Sequence, residues 1–126
     1  MSYRSPLARA RGLGSAREGA GHWWAQRLTA VALVPLCLWF VIGLLEVIGE
    51  GYEAAADWIS LTENAALLVL FVVAAFHHAQ LGLQVVIEDY VHHEGLKIAG
   101  IIIVKFAAIL LGFSAIFAVL SISFGG

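Results

Sequence analysis

The chain has 126 residues, of which 61% are hydrophobic and 13% are charged, and its formal net charge is −2. Soluble globular domains average about 45–50% apolar and about 25% charged residues, so this composition excludes an ordinary water-soluble fold. The single cysteine, Cys37, excludes an intramolecular disulfide, a cysteine-based zinc site and an iron–sulfur cluster held by this chain alone. We therefore expect an all-α integral membrane protein.

Positive charge is concentrated at the amino terminus. Residues 1–27 hold five arginines and one acid, whereas residues 28–126 hold two lysines and eight acids. An excess of Lys and Arg beside a first span keeps that side cytoplasmic, so the basic residues indicate orientation and not nucleic-acid binding. An Arg-rich leader is also typical of mitochondrial transit peptides, but this one is short and contains several glycines. The sequence favours the bacterial inner membrane over the mitochondrial inner membrane.

Three apolar runs are long enough to cross a bilayer, which takes about 20 residues each. A basic cytoplasmic or matrix-side segment, residues 1–24, thus precedes a three-helix membrane-anchor domain, residues 25–126. The predicted helices cover about 25–48, 64–87 and 98–122. With the amino terminus on the cytoplasmic or matrix side, three crossings leave the carboxyl terminus on the opposite side.

The segment between the first two spans is acidic and has neither Lys nor Arg, as expected of an outside loop. It runs from Glu46 to Glu63. Ser60, with Glu63 three residues later, matches a capping box, so we expect the second span to begin at Ser60.

Two adjacent histidines, His77 and His78, fall near the middle of the second span. Ionisable side chains at this depth are costly and usually functional. Neighbouring residues point about 100° apart on a helix, so these two side chains do not face the same side. Asp89 follows His78 by eleven residues, which places it about 20° away on the helix and about 16 Å along the axis. Geometry therefore favours His78 over His77.

Small residues share the face of His78, and they leave room for a close helix or for a flat group such as haem. They are Ala74, Ala75 and Gly82. Small residues in spans also serve plain helix–helix packing, and an intramembrane histidine also serves helix–helix hydrogen bonding or proton relay, so three readings stay open here. In the haem reading, a second axial ligand has to come from another polypeptide.

The run from His78 to Gly82, with Asp89 and Tyr90 eleven and twelve residues after the histidine, resembles the signature of a known family. That family is the smaller hydrophobic membrane anchor of succinate dehydrogenase, respiratory complex II. The segment 22–30 is similar to the same family's approach to its first span, where an Arg-x-Thr/Ser pair recurs. Chain length and three spans match as well, so the resemblance covers nearly the whole chain.

The resemblance implies a role for each matching residue. His78 would be one axial ligand of a b-type haem, and the companion anchor subunit would supply the other. Tyr90 would donate a hydrogen bond to a ubiquinone carbonyl, and Asp89 would help order that quinone pocket. Arg27 would lie near the haem propionates or the quinone pocket, with His22 beside the propionates. The competing interpretations are an interfacial aromatic for Tyr90, a helix-end carboxylate for Asp89 and an orientation-setting charge for Arg27.

The resemblance also implies partners. A flavoprotein subunit and an iron–sulfur subunit would oxidise succinate, and a second membrane anchor would complete the cytochrome b and the site of ubiquinone reduction in the respiratory chain and tricarboxylic acid cycle. This sequence contains no flavin-binding fingerprint or cysteine cluster, so we expect no succinate oxidation by this chain alone. The alternatives are a haem-free structural anchor of a related fumarate reductase and a small transport protein.

Overall fold

The structure, a computed structural model, describes residues 15–125, with side chains from Ala20 onward. Residues 1–14, the greater part of the predicted basic segment, lie outside the described residues. The described part is all helical and has no strand. Its four helices are α1 (Ser15–Val47), α2 (Tyr52–Ser60), α3 (Thr62–Tyr90) and α4 (Glu94–Gly125).

Three of the helices are long and apolar enough to cross a membrane, which confirms the predicted number of spans. Their candidate membrane segments are Ala20–Val47, Thr62–Tyr90 and Glu94–Gly125. The segments of α3 and α4 extend beyond both ends of the predicted ranges, and that of α1 begins earlier than predicted. Hydropathy detects the apolar part of a helix, whereas the helix itself continues into its polar ends. His22 consequently lies within α1.

The acidic connection is more ordered than the expected loop. Helix α1 ends at Val47, and the turn that follows uses Gly49 and Gly51 at φ values of 84° and 92°. Glycine adopts this left-handed region at little cost, so the chain reverses here and starts α2 at Tyr52. Helix α2 contacts all three long helices and so closes one end of the bundle.

The predicted capping box at Ser60 is wrong. Ser60 is the last residue of α2, and its hydroxyl donates to the carbonyl of Ala56 at 2.8 Å, one turn back. The residue that precedes α3 is Leu61, and it makes no side-chain capping bond. The local bond within α2 satisfies the serine hydroxyl, so the hydroxyl is not needed at the start of α3.

Helix α3 is the centre of the bundle. It packs against α1 and against α4, whereas the backbones of α1 and α4 do not approach each other closely within residues 15–125. Small residues let the helices approach: a Cβ added at Gly112 of α4 would lie 3.5 Å from the Phe76 ring, and Ala74 is buried. Two grooves result, one on each side of α3.

Little of the bundle is shielded from its surroundings. Only 11%, 17% and 6% of the residues in the most apolar windows of α1, α3 and α4 are buried. Large apolar side chains such as Leu28, Leu38 and Phe106 are more than 60% exposed. Helices with this exterior require lipid or further membrane helices around them.

Candidate functional site

The two adjacent histidines of α3 enter different grooves. His78 lines the groove between α1 and α3, and His77 lines the groove between α3 and α4, together with Lys105 of α4. This separation agrees with the offset of about 100° between neighbouring helical residues. The two imidazoles therefore have different neighbours and serve different environments.

The groove between α1 and α3, hereafter the His78 groove, has a volume of about 520 Å³. Small-molecule and cofactor pockets usually measure about 300–1,000 Å³. Its polar and aromatic lining comes from four residues of α1 and two of α3. They are His22, Trp23, Gln26, Arg27, His78 and Glu88. The groove thus combines an imidazole, a cationic region and a carboxylate with apolar walls.

A hydrogen bond to α1 holds the imidazole of His78. Its Nδ1 lies 3.0 Å from Oγ1 of Thr29, and both side chains are half-buried. The same hydroxyl lies 2.7 Å from the carbonyl of Ala25 and 3.1 Å from that of Gln26. The bond joins the first and second spans at the level of the candidate ligand.

The cationic part of the groove lies toward the amino-terminal end of α1. The guanidinium of Arg27 is 5.0 Å from the centre of the Trp23 ring, a cation–π contact. His22 precedes Thr29 by seven residues, so its backbone lies about 10 Å along the helix axis from the level of the His78 hydrogen bond. His22 and Arg27 are thus placed for the charged edge of a bound group, and His22 is displaced from the level of the His78 imidazole.

A polar ladder runs along α3 and ends in this groove. The side-chain amide of Gln80 donates to Gln84 at 3.1 Å, and that of Gln84 donates to the Glu88 carboxylate at 3.0 Å. Gln84 is buried, and Glu88 is exposed at the groove. The signal for this ladder in the sequence is the spacing of four between its members, which places their side chains next to one another on a helix. None of the three belongs to the predicted site.

Gln26 adds a further polar atom to the groove. Its side-chain oxygen is buried and has no hydrogen-bond partner among the described residues. A buried carbonyl oxygen without a donor costs about 1–3 kcal/mol, so this atom is suited to accept from a bound molecule or water. Gly82 lies opposite: a Cβ added there would be 3.6 Å from the Gln26 amide nitrogen, so the lack of a side chain at Gly82 leaves space beside Gln26.

The acid–phenol pair lies at the end of α3, beyond the lining of the groove. Tyr90 is the last residue of the helix and is 78% exposed. Asp89 is exposed as well. Asp89 and Tyr90 are the next two residues after Glu88, which lines the same groove as His22 and Arg27. Glu88, Asp89 and Tyr90 therefore lie at the same end of the bundle as His22 and Arg27. The structure therefore groups His22, Arg27 and His78 in one groove and leaves Asp89 and Tyr90 accessible at its end.

The donor set suits a haem better than a bare metal ion. Within the described residues, no three His, Cys, Asp or Glu side chains are grouped closely enough to hold a metal ion. A haem iron needs only axial ligands from protein, and a cationic side chain satisfies its propionates. His78, Arg27 and His22 offer these groups along one groove.

Together, three apolar spans, a largely unshielded exterior and one polar groove define an integral membrane subunit that works with other chains. The family of succinate dehydrogenase/fumarate reductase transmembrane subunits matches residues 1–114. The chain belongs to this family, as the sequence predicted.

Individual relatives agree with the family match. The succinate dehydrogenase hydrophobic membrane anchor subunit of Rickettsia bellii is 35% identical over 108 residues, 86% of either chain. That of Paracoccus denitrificans is 37% identical over 90 residues, 71% of this chain and 70% of the relative. A succinate dehydrogenase membrane anchor subunit of Reclinomonas americana is 29% identical over 96 residues, 74% of this chain and 80% of the relative. No solved structure matches the chain significantly.

Proposed function

We propose that this chain anchors the catalytic subunits of a succinate dehydrogenase to the membrane, provides one axial ligand to a shared haem b and forms part of the ubiquinone reduction site. The observation that carries the proposal is the position of His78, half-buried in a groove that also contains Arg27 and His22. The family assignment supports the anchor role, and the chemistry of the groove supports the haem.

Different residues of the groove would bind different parts of a haem. The imidazole of His78 would bind iron from one side, and Arg27 and His22 would pair with the propionates nearer the amino-terminal end of α1. When bound, the haem supplies a site for single-electron transfer. The remaining histidines of this chain do not lie beside His78: His77 is in the other groove, and His92 and His93 follow α3. A second membrane subunit is therefore expected to provide the opposite ligand.

The quinone would be held at the end of α3. The exposed Tyr90 hydroxyl would donate to a quinone carbonyl, and this bond strengthens as negative charge develops on the oxygen during reduction. Asp89 would order the pocket. Glu88, which accepts from Gln84, would hold a proton near the reduced quinone. Reduction of a quinone takes two electrons and two protons, so groups that bind and groups that deliver protons are both required.

The basic amino-terminal region sets the proposed orientation. Lys and Arg residues stay on the cytoplasmic side, so the His78 groove opens toward that side, where the flavoprotein and iron–sulfur subunits would dock. The carboxyl-terminal end of α4 would lie on the opposite side. In a bacterium, the chain would lie in the inner membrane, where succinate from the cytoplasm and quinone from the bilayer both reach the complex.

The haem proposal is tested by exchanging the two adjacent histidines separately. The purified complex is expected to show a reduced b-type spectrum that His78→Ala abolishes or strongly perturbs. His77→Ala is the matched control, because it removes the same imidazole from the other side of α3, and it should preserve the spectrum. Loss of haem from the His77 variant alone would reassign the ligand.

The family description also covers fumarate reductases. The hydrogen bond between His78 and Thr29 favours a second candidate, a haem-free structural anchor of such an enzyme. In that case His78 serves the helix–helix hydrogen bond to Thr29 alone. The same experiment distinguishes the two candidates, since the second predicts no b-type haem spectrum in the purified wild-type complex. Co-purification of a flavoprotein subunit would separate either candidate from a small transport protein.

A further inference from the structure

We infer that Thr29 is a positioning residue: it fixes the tautomer of His78, so that Nδ1 carries the proton and Nε2 remains bare to bind iron. The inference rests on the proposed haem ligation and adds to it a residue on a different helix. Its starting point is the 3.0 Å separation between Thr29 Oγ1 and His78 Nδ1.

The direction of the hydrogen bond follows from counting protons. A threonine hydroxyl has one proton to donate and lone pairs to accept with. Two carbonyl oxygens, which only accept, lie near Thr29 Oγ1, that of Ala25 at 2.7 Å and that of Gln26 at 3.1 Å. The shorter of these distances assigns the hydroxyl proton to Ala25. His78 Nδ1 then has to be the donor in the third contact.

The assignment leaves one tautomer of the imidazole. A neutral histidine carries a proton on a single nitrogen, so a protonated Nδ1 means an unprotonated Nε2. Metal-binding histidines commonly donate their other ring N–H to an oxygen, which fixes the ring orientation and raises the basicity of the ligating nitrogen. Thr29 supplies that oxygen here.

Helix α1 makes this acceptor rigid. Thr29 is β-branched, and within a helix its hydroxyl is held against the carbonyls of the preceding turn. Thr29 and His78 are both half-buried, so water competes weakly for the bond. The protein therefore orients the imidazole before any haem binds. Because Thr29 is on α1 and His78 is on α3, the packing of these two helices sets the orientation of the His78 ring.

The test compares three variants within the complete purified complex. Thr29→Val keeps the shape of the side chain and removes the acceptor, whereas Thr29→Ser keeps the hydroxyl. Thr62→Val is the matched control, because Thr62 is the only other threonine and begins α3 at the opposite end. The readouts are haem content per complex, from reduced-minus-oxidised spectra, and the midpoint potential of the haem.

We expect Thr29→Val to weaken haem retention by about 10–100-fold, the usual effect of losing such an outer hydrogen bond. Haem that stays bound should have a higher midpoint potential, because a less basic imidazole stabilises ferric iron less. Thr29→Ser and Thr62→Val should match the wild type in both readouts. If His78→Ala removes the haem while Thr29→Val leaves content and potential unchanged, the inference is wrong and the proposed function stands. If His78→Ala retains the haem, the proposed function itself fails.

A second measurement needs no Thr29 variant and decides the question if Thr29→Val does not assemble. Nitrogen-15 spectra of the full chain in lipid without haem, with labelled histidine and His78→Gln to assign the signal, report which ring nitrogen is protonated. Protonated Nδ1 with bare Nε2 supports the inference. A protonated Nε2, alone or together with Nδ1, overturns it.

Discussion

Glu88 places a carboxylate in the same groove as His78, and the amide of Gln84 orients it at 3.0 Å. We expect Glu88→Gln to slow succinate-driven quinone reduction by up to about 10²-fold, the lower end of the range for a general acid, because the amide cannot hand over a proton. Succinate oxidation by an artificial acceptor should be unchanged. Glu63→Gln, in the first turn of the same helix, is the control and should leave both rates intact.

Tyr90 is the second residue whose role is open to direct measurement. Its 78% exposure means that Tyr90→Phe removes a hydroxyl without disturbing packing. A lost hydrogen bond of about 0.5–1.5 kcal/mol predicts a decrease of up to about tenfold in quinone reduction. Tyr52→Phe offers a matched control, since Tyr52 is 73% exposed at the opposite end of the bundle. An equal loss of quinone reduction and of artificial-acceptor activity would indicate failed assembly.

At the scale of residues, the sequence predicted correctly those features that depend only on the periodicity of a single helix. The separation of His77 from His78 needs only the angle between neighbours, and the structure places them in two grooves. The contact between His78 and Thr29 joins residues 49 positions apart, and it depends on which faces of two helices meet. Periodicity within one helix contains no information on that pairing, so the sequence did not reveal the partner of the imidazole.

At the scale of elements, helix α2 is held to α1 by an aromatic side chain. The Trp58 ring lies against Gly43, where an added Cβ would overlap it, and it stacks on Trp39 with ring centres 5.3 Å apart. The Asn64 amide donates to the Trp58 carbonyl at 2.9 Å, so α3 secures the same segment. The short helix is thereby tied to both neighbouring spans.

Gly43→Ala should displace Trp58 and destabilise the bundle by about 1–3 kcal/mol, the typical cost of overpacking. The measurement is the thermal midpoint at which the complex dissociates in detergent. Gly21→Ala provides the control, because an added Cβ there meets nothing within 4 Å. A Gly43 variant as stable as the wild type would show that α2 is not packed as described.

At the scale of elements, hydropathy predicted the three spans but not the short helix α2 between the first two. Apolar runs report which residues prefer hydrocarbon, and each predicted run coincides with an observed helix, apart from Ile48, which lies just beyond the end of α1. Helix α2 is only nine residues long and carries Glu53 and Asp57, so its composition resembled a polar loop. Its apolar residues recur at helical spacing, but a helix of nine residues is marginal by itself, so its order depends on the tertiary contacts of Trp58 with α1 and α3.

At the scale of the whole molecule, the central position of α3 separates the groove that contains His78 from the groove that contains His77. Helices α1 and α4 both pack on α3 while their own backbones stay apart in the described chain, so the bundle stays open on both sides of α3. For the proposed haem, an open groove in which His78 is the one proposed iron ligand is incomplete by itself. The architecture thus accounts for why the proposed haem needs a second membrane subunit and why most of the apolar surface remains exposed.

The orientation of the bundle can be measured with introduced cysteines. Cys37 is the only native cysteine, so Cys37→Ser gives a background without thiols. Glu50→Cys would mark the turn between α1 and α2, and His92→Cys would mark the connection between α3 and α4. An impermeant maleimide should label Glu50→Cys in right-side-out membranes. His92→Cys should react only in inverted vesicles stripped of peripheral subunits, because arginines hold the amino-terminal end inside. The reverse pattern would place the His78 groove on the side away from the cytoplasm, where no catalytic subunit could deliver electrons from succinate.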